Sequence, residues 1–293
     1  MARRQRIGQL RVVIALLVAL MWVIWALRQK RPQRAGQPTT NTSTIRIATW
    51  NLRKFSEGGQ HPPDLVEIAS IIKGAQFDLV AIQEVQREGQ IVEKLRRQLN
   101  EPWRHVVSER TGNNERYAFL YRSDRVDLVD GSARLLKGPE TAVFDRAPFT
   151  GSFRAGEFDF MLLTVHLSYT DVARRKAEAS ALVGLCRGMV DGGVEKDLIV
   201  LGDFNEQHQR GNLKLFEEQG WTRLNRDATN LSSSEVYDNL LIDPRFTNEW
   251  TGVGGTWRFD EMDYGNDDKA AVELVSDHRP AWGEFSVGGP DDD

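Results

Sequence analysis

Residues 45–52 read IRIATWNL, residues 62–74 read PPDLVEIASIIKG, and residues 77–85 read FDLVAIQEV. The first and third are β-prone runs, predicting strands at Ile45–Leu52 and Phe77–Val85. The middle run opens on Pro-Pro-Asp and repeats Leu65, Ile68, Ala69 and Ile72 at helical spacing, predicting a helix over Leu65–Gly74. Toward the carboxyl end the alternation continues. A helix is expected at Ile91–Leu99, then strands at His105–Glu109, Arg116–Tyr121, Val126–Val129, Phe149–Arg154 and Phe158–Leu167. Asp171–Met189 carries Val172, Ala179, Leu182, Val183 and Leu185 on one side of a helix, and Asp197–Asp203 is a short apolar run suited to a buried strand. Further strands are expected near Val236–Ile242, Glu249–Thr251, Thr256–Phe259 and Ala281–Phe285. This order predicts an α/β fold of two packed mixed β-sheets flanked by helices, with the chemistry on loops at one end of the strands.

Toward the amino end the character changes. Val12–Leu27 is a run of 16 residues without a charged or polar side chain, preceded by Arg3, Arg4, Arg6 and Arg11 and followed by Arg28, Lys30, Arg31 and Arg34. As a helix it covers roughly 24 Å against a hydrocarbon layer of about 30 Å, short enough to need the flanking arginines to snorkel. Residues 1–28 are read as a single-pass anchor, with a cleaved signal segment or a buried core helix as alternatives. The body is then expected on the extracytoplasmic side, or secreted if the segment is cleaved. Residues 29–44 (QKRPQRAGQPTTNTST) read as a flexible linker, and residues 45–293 as one folded domain.

Charge sharpens the division. Residues 1–44 hold eight cations and no acid, so the remainder carries −12. A body of that sign cannot hold a nucleic acid on a broad basic surface. A phosphodiester substrate would call for a divalent cation to offset the repulsion. Cys186 is the one cysteine, which excludes an intrachain disulfide.

The informative residues cluster at strand ends: Asn51, Gln83-Glu84, Asn114-Glu115-Arg116-Tyr117, Asp145-Arg146-Ala147-Pro148-Phe149, His166, Gly202-Asp203-Phe204-Asn205, Tyr237-Asp238-Asn239 and Ser276-Asp277-His278-Arg279-Pro280. Each alone is ordinary: a carboxylate at a strand end is usually solvated, and Asp-Phe-Asn can be an Asx turn. Of the other histidines, His105 reads as structural and His61 as a loop residue. His208 lies close enough to the 203–205 element to reach substrate.

In order, these elements resemble the endonuclease/exonuclease/phosphatase superfamily over residues 45–287. The stretch ERYAFLYR at 115–122 and the F-x-R-x-P element from Phe144 to Pro148 resemble its deoxyribonuclease I branch. The resemblance implies a four-layer α/β sandwich and a Mg2+ cofactor, with Mn2+ or Ca2+ as alternatives. Glu84 and Asp277 would be the metal carboxylates, with Asn51 beside them. Asp203 would orient the attacking water and Asn205 bind phosphate. His278 would pair with Asp238 and accept the water proton, and His166 would pair with Glu115 and protonate the leaving 3′ oxygen. Arg146 would hold a phosphate oxygen and Arg53 the DNA backbone. Two positions depart from that branch: Gln86 stands where an Arg reaches the minor groove, and Asn113 where a Tyr stacks on a sugar.

The leading expectation is a metal-dependent endonuclease whose partner is DNA and whose products carry 5′-phosphate and 3′-hydroxyl ends. A phosphodiesterase or phosphatase acting on a lipid or small phosphoester at the membrane is the alternative, and a non-catalytic binding module the third. No obligate protein partner is expected.

Overall fold

The computed structural model describes residues 43–58, 62–193, 195–206 and 211–289. The proposed anchor, nearly all of the linker, His61, His208 and the terminal aspartates lie outside them. Among the described residues no helix is long and apolar enough to cross a membrane.

The chain runs β1 (Thr44–Phe55), α1 (Leu65–Ala75), β2 (Leu79–Val85), α2 (Gln90–Leu99), β3 (Trp103–Val107), β4 (Arg116–Arg122), β5 (Asp127–Leu128), β6 (Arg134–Leu135), β7 (Phe149–Ala155) and β8 (Phe158–His166). It continues through α3 (Val172–Gly192), β9 (Leu198–Asp203), α4 (Lys214–Glu217), β10 (Thr222–Arg223), β11 (Asp238–Ile242), β12 (Trp250–Thr256), α5 (Phe259–Tyr264), α6 (Asp268–Leu274) and β13 (Ala281–Ser286). One sheet is ordered β12-β13-β1-β2-β4-β3; the other is β10-β11-β9-β8-β7-β5, with β6 beside β7. Both are mixed: β1 runs parallel to β2 and β8 parallel to β9, and the other pairs are antiparallel.

Alternation builds three apolar layers. Ile45 and Ile47 of β1 meet Phe153, Phe160, Leu201 and Leu240 between the sheets. Ala48 and Trp50, on the opposite face, pack with Ile68 and Ile72 of α1 and Leu95 of α2. On the far side Leu163, Val165 and Val200 pack against Ala179, Leu182 and Cys186 of α3. The result is helix, sheet, sheet, helix, the expected α/β sandwich. Asp64 caps α1 by accepting from the Val66 and Glu67 amides, the role its Pro-Pro-Asp context predicts.

The structure differs from the sequence reading at several boundaries. Thr44 already pairs with Ser286, so the linker reading runs one residue into β1. Strand β1 continues past Leu52 to Phe55, with its register to β2 broken between Asn51 and Phe55. The two strands expected at 249–251 and 256–259 are one, because β13 pairs across the glycines between them; Phe259 opens α5 instead.

Candidate active site

The inward-facing alternation of each strand carries the site. In β1 the face of Ile45, Ile47 and Thr49 ends in Asn51; in β8 that of Phe160, Leu162 and Thr164 ends in His166. In β9 the face of Ile199 and Leu201 ends in Asp203, and in β11 Asp238 precedes Leu240 and Ile242. Four polar side chains therefore converge where the space between the sheets opens to solvent. Beneath them the buried Gln83 amide donates to Thr49 Oγ1 (3.0 Å) on its own sheet and to Thr164 Oγ1 (2.9 Å) on the facing one.

Glu84 is the exception to alternation. Strict period two would put it with Val80 and Ile82 on the helix side. Its φ of 59° lies in the left-handed region and coincides with the slip between β2 and β4. The carboxylate turns instead to accept from Asn51 Nδ2 (3.0 Å) and the Lys54 amide (2.7 Å). For a side chain of this kind such a backbone costs about 1–3 kcal/mol, which the two hydrogen bonds offset. Gly202 is required by a close approach: a Cβ there would lie 2.0 Å from the Val165 carbonyl oxygen, and its φ is 143°.

Asn51 Nδ2 also donates to Asp203 Oδ2 (2.8 Å), so one amide links both carboxylates. The same Asp203 oxygen is 3.6 Å from His166 Nε2 and 3.9 Å from His278 Nε2. Behind each ring sits a second acid: His166 Nδ1 contacts Glu115 Oε2 at 2.9 Å, and His278 Nδ1 contacts Asp238 Oδ2 at 2.7 Å. Burial disfavours the charge on His278, but Asp238, Asp203 and Asp277 outweigh it and push its pKa up to about 10. Burial in turn raises the Asp238 carboxyl.

Asn205 donates from Nδ2 to the Leu167 carbonyl (2.9 Å), and its amide bonds Asp203 Oδ1 (2.8 Å). Arg146 is buried and donates to the His166 and Leu167 carbonyls (2.9 Å each), with Glu115 3.5 Å away. Its guanidinium thus braces the His166 strand end as well as lining the cleft. Among the described residues, Asp277 Oδ1 is a buried oxygen without a hydrogen-bond donor. Glu84 and Asp277 line the same cleft and offer only oxygen, which suits a hard divalent cation, while Asn51 fixes Glu84 through its Nδ2 and spends its Oδ1 on the Arg53 amide. Asp203, Asp238 and His278 also bring one ligand atom each within 4.8 Å of one another.

All of the expected residues except Asn51 and Asp238 line one cleft of about 650 Å3, and those two stand directly behind its wall. The walls add Lys54, Asn113, Tyr169, Thr170, Asn230 and Ser232. Gln86 does not line it, and Arg87 beside it turns to the Gly58 carbonyl. His105 lies elsewhere, half-buried and 3.6 Å from Glu93; burial lowers its pKa.

Two supporting residues had escaped the sequence reading. Glu178 of α3 is fully buried and accepts from the Asp145 and Ser168 amides (2.8 and 2.7 Å). Arg175, one turn earlier, donates from Nη1 to the Ser168 and Tyr169 carbonyls (2.8 and 2.6 Å). One helix end thereby fastens both the Arg146 loop and the loop after His166. The signal was present: Arg175 and Glu178 interrupt the otherwise apolar stripe of Ala179, Leu182 and Cys186.

The comparisons with known proteins point the same way as the geometry. The profile of the Endonuclease/Exonuclease/phosphatase family matches residues 48–278. A deoxyribonuclease of Thioalkalivibrio sp. (strain K90mix) is 30% identical over 279 residues, spanning 84% of this chain and 72% of that protein. Deoxyribonuclease-1 of Equus caballus is 27% identical over 263 residues, spanning 81% and 90%. A solved endonuclease/exonuclease/phosphatase family protein from Bacteroides thetaiotaomicron superposes with a TM-score of 0.59 at 17% identity, covering 83% of this chain and 98% of that one.

Proposed function

This chain belongs to the Endonuclease/Exonuclease/phosphatase family of phosphoester hydrolases, and from that premise we propose that it is a divalent-metal-dependent endonuclease that cuts DNA to 5′-phosphate and 3′-hydroxyl ends. The observation that carries the reading is Asp203 set between two imidazoles, each backed by its own carboxylate. In-line hydrolysis of a phosphodiester needs a proton acceptor for the attacking water and a donor for the departing oxygen, and this arrangement supplies two titratable rings on either side of one oriented oxygen.

Glu84 and Asp277 would hold Mg2+, or Mn2+ or Ca2+ in its place, with Asn51 fixing Glu84. The ion would supply positive charge that neutralises the phosphoryl oxygens and opposes the carboxylates holding a proton on His278. Asp203 orients the water, and His278 accepts its proton as the water oxygen bonds to phosphorus. The bond from phosphorus to the 3′ oxygen breaks, and His166 gives that oxygen a proton. Asn205 and Arg146 bind the phosphate, and Arg53 takes a flanking one.

Full-length protein incubated with circular DNA, both supercoiled duplex and single-stranded, tests this in Mg2+, Mn2+ and Ca2+. Nicking and linearisation that vanish with chelator and in Glu84→Ala are expected. No cleavage with any ion, or wild-type rates in both Glu84→Ala and His278→Ala, would overturn it. Turnover of a phospholipid or sugar-phosphate panel without DNA cleavage would favour the alternative hydrolase reading, in which residues 1–28 hold the enzyme at a membrane.

A further inference from the structure

Tyr169 is the one exposed aromatic side chain among the described residues, at 61% exposure, and it stands in the wall of the catalytic cleft. Tyrosine presents a large apolar face that ordinarily seeks cover. Its position is built rather than incidental. The buried Arg175 holds its carbonyl, and Glu178 holds the preceding amide, so the backbone under Tyr169 is fastened to α3. Its ring meets Tyr237 edge-on at 6.4 Å, and Tyr237 lies 5.8 Å from the His278 ring. The free face is therefore two ring contacts from the reacting centre. The same cleft is also lined by Asn113, Arg53 and Lys54, all polar or cationic.

We infer that Tyr169 stacks on the base of a nucleotide beside the scissile phosphate, and that the substrate class of this site is single-stranded nucleic acid in preference to duplex. The inference rests on the nuclease reading above and deepens it. In a duplex each base face is covered by its neighbours and is closed to a side chain; in a single strand it is open, and every base offers a π-face. Charge points the same way. A duplex carries one phosphate per about 1.7 Å of axis and a single strand half that density. The body is acidic, and the Arg146 guanidinium is engaged with two carbonyls. Arg53 and Lys54 are the cleft cations whose side chains have no ion pair among the described residues, too few to neutralise two strands. With Arg146 and the ion assigned to the scissile phosphate, two further cations and one stacking platform match the flanking phosphates and bases of a single strand.

The test measures kcat/KM of the full-length protein on a short labelled oligonucleotide as a single strand, as a duplex with its complement, and as a strand carrying abasic sites. The single strand is expected to be cut faster than the duplex. Tyr169→Ala should lose about tenfold on the normal single strand, chiefly in KM, and Tyr169→Phe should restore it. On the abasic strand the gap between wild type and Tyr169→Ala should close, because no base is left to stack. A duplex cut as fast as the single strand overturns the inference, as does an equal Tyr169→Ala defect on normal and abasic strands, which marks a merely structural role. Either result leaves the nuclease reading standing. No cleavage of any strand, with wild type equal to Glu84→Ala, overturns both.

Discussion

His166 and His278 face the same oxygen of Asp203 and each has a carboxylate on Nδ1, yet their surroundings differ. Glu115 behind His166 lies 3.5 Å from the Arg146 guanidinium, so its charge is met by a cation as well as by the ring. Asp238 behind His278 is fully buried, and Asp203 and Asp277 add further negative charge on that side. A histidine–carboxylate pair is thus placed in one neighbourhood beside a compensating cation and in another beside further carboxylates. Residue identity fixes what a pair can do; the charges around it fix when it gives up its proton.

The broadest attack on this comparison is at the oxygen the two rings share. Asp203→Ala removes it and should lower single-turnover cleavage by about 10²–10⁴-fold. A loss under tenfold would show that the rings act without it. Separating the pairs comes next. Asp238→Asn should cost more than Glu115→Gln, because Arg146 remains beside position 115 while His278 loses its largest source of positive bias. Equal losses would mean that the surroundings do not matter. Gly202→Ala should disturb both pairs together, since the added Cβ meets the Val165 carbonyl between the strands that carry Asp203 and His166. About 3 kcal/mol of destabilisation is expected in denaturant unfolding; an unchanged midpoint would show that the strands part freely.

The pH behaviour sharpens the contrast further. In ion-free protein the His278 ring should stay protonated well above its ordinary 6.5 in an NMR titration, and Asp238→Asn should bring the midpoint down. Because the folded pKa is raised, the stability this ring contributes is complete below 6.5 and is lost as pH climbs toward about 10. A midpoint at or below 6.5 would contradict the three-carboxylate account. The smallest effect is expected at the rim. Arg53→Ala should weaken DNA binding by less than tenfold and reduce the slope of log K against log salt by about one. An unchanged slope would remove Arg53 from the phosphate contacts.

Much of this was legible in the sequence, for a chemical reason. Asn51, Glu84, Asp203 and His278 are residue types that the proposed reaction leaves little freedom to replace, and they stand at or near the ends of strands. The left-handed backbone at Glu84 was not legible, since nothing in Gln83-Glu84-Val85 announces a positive φ. The middle of strand β12 was hidden because its glycines carry no period; only pairing with β13 joins the two expected strands into one. For Glu178 the sequence offers only a charge within an apolar helix stripe; its partners, the Asp145 and Ser168 amides, lie on loops that only the fold brings together.

Gln83 has a consequence for how the two halves of the molecule keep alignment. Greasy surfaces alone attract without insisting on one relative offset, and sliding one sheet along the other by a single pleat would still leave hydrocarbon against hydrocarbon. A carboxamide tied to a hydroxyl on each side tolerates no such slide, since either displacement strands a donor in a dry place. The histidine of one sheet and the asparagine of the other are therefore held to a common datum two residues below the site, and replacing this glutamine with leucine would leave a well-filled core whose site residues lose their fixed meeting point.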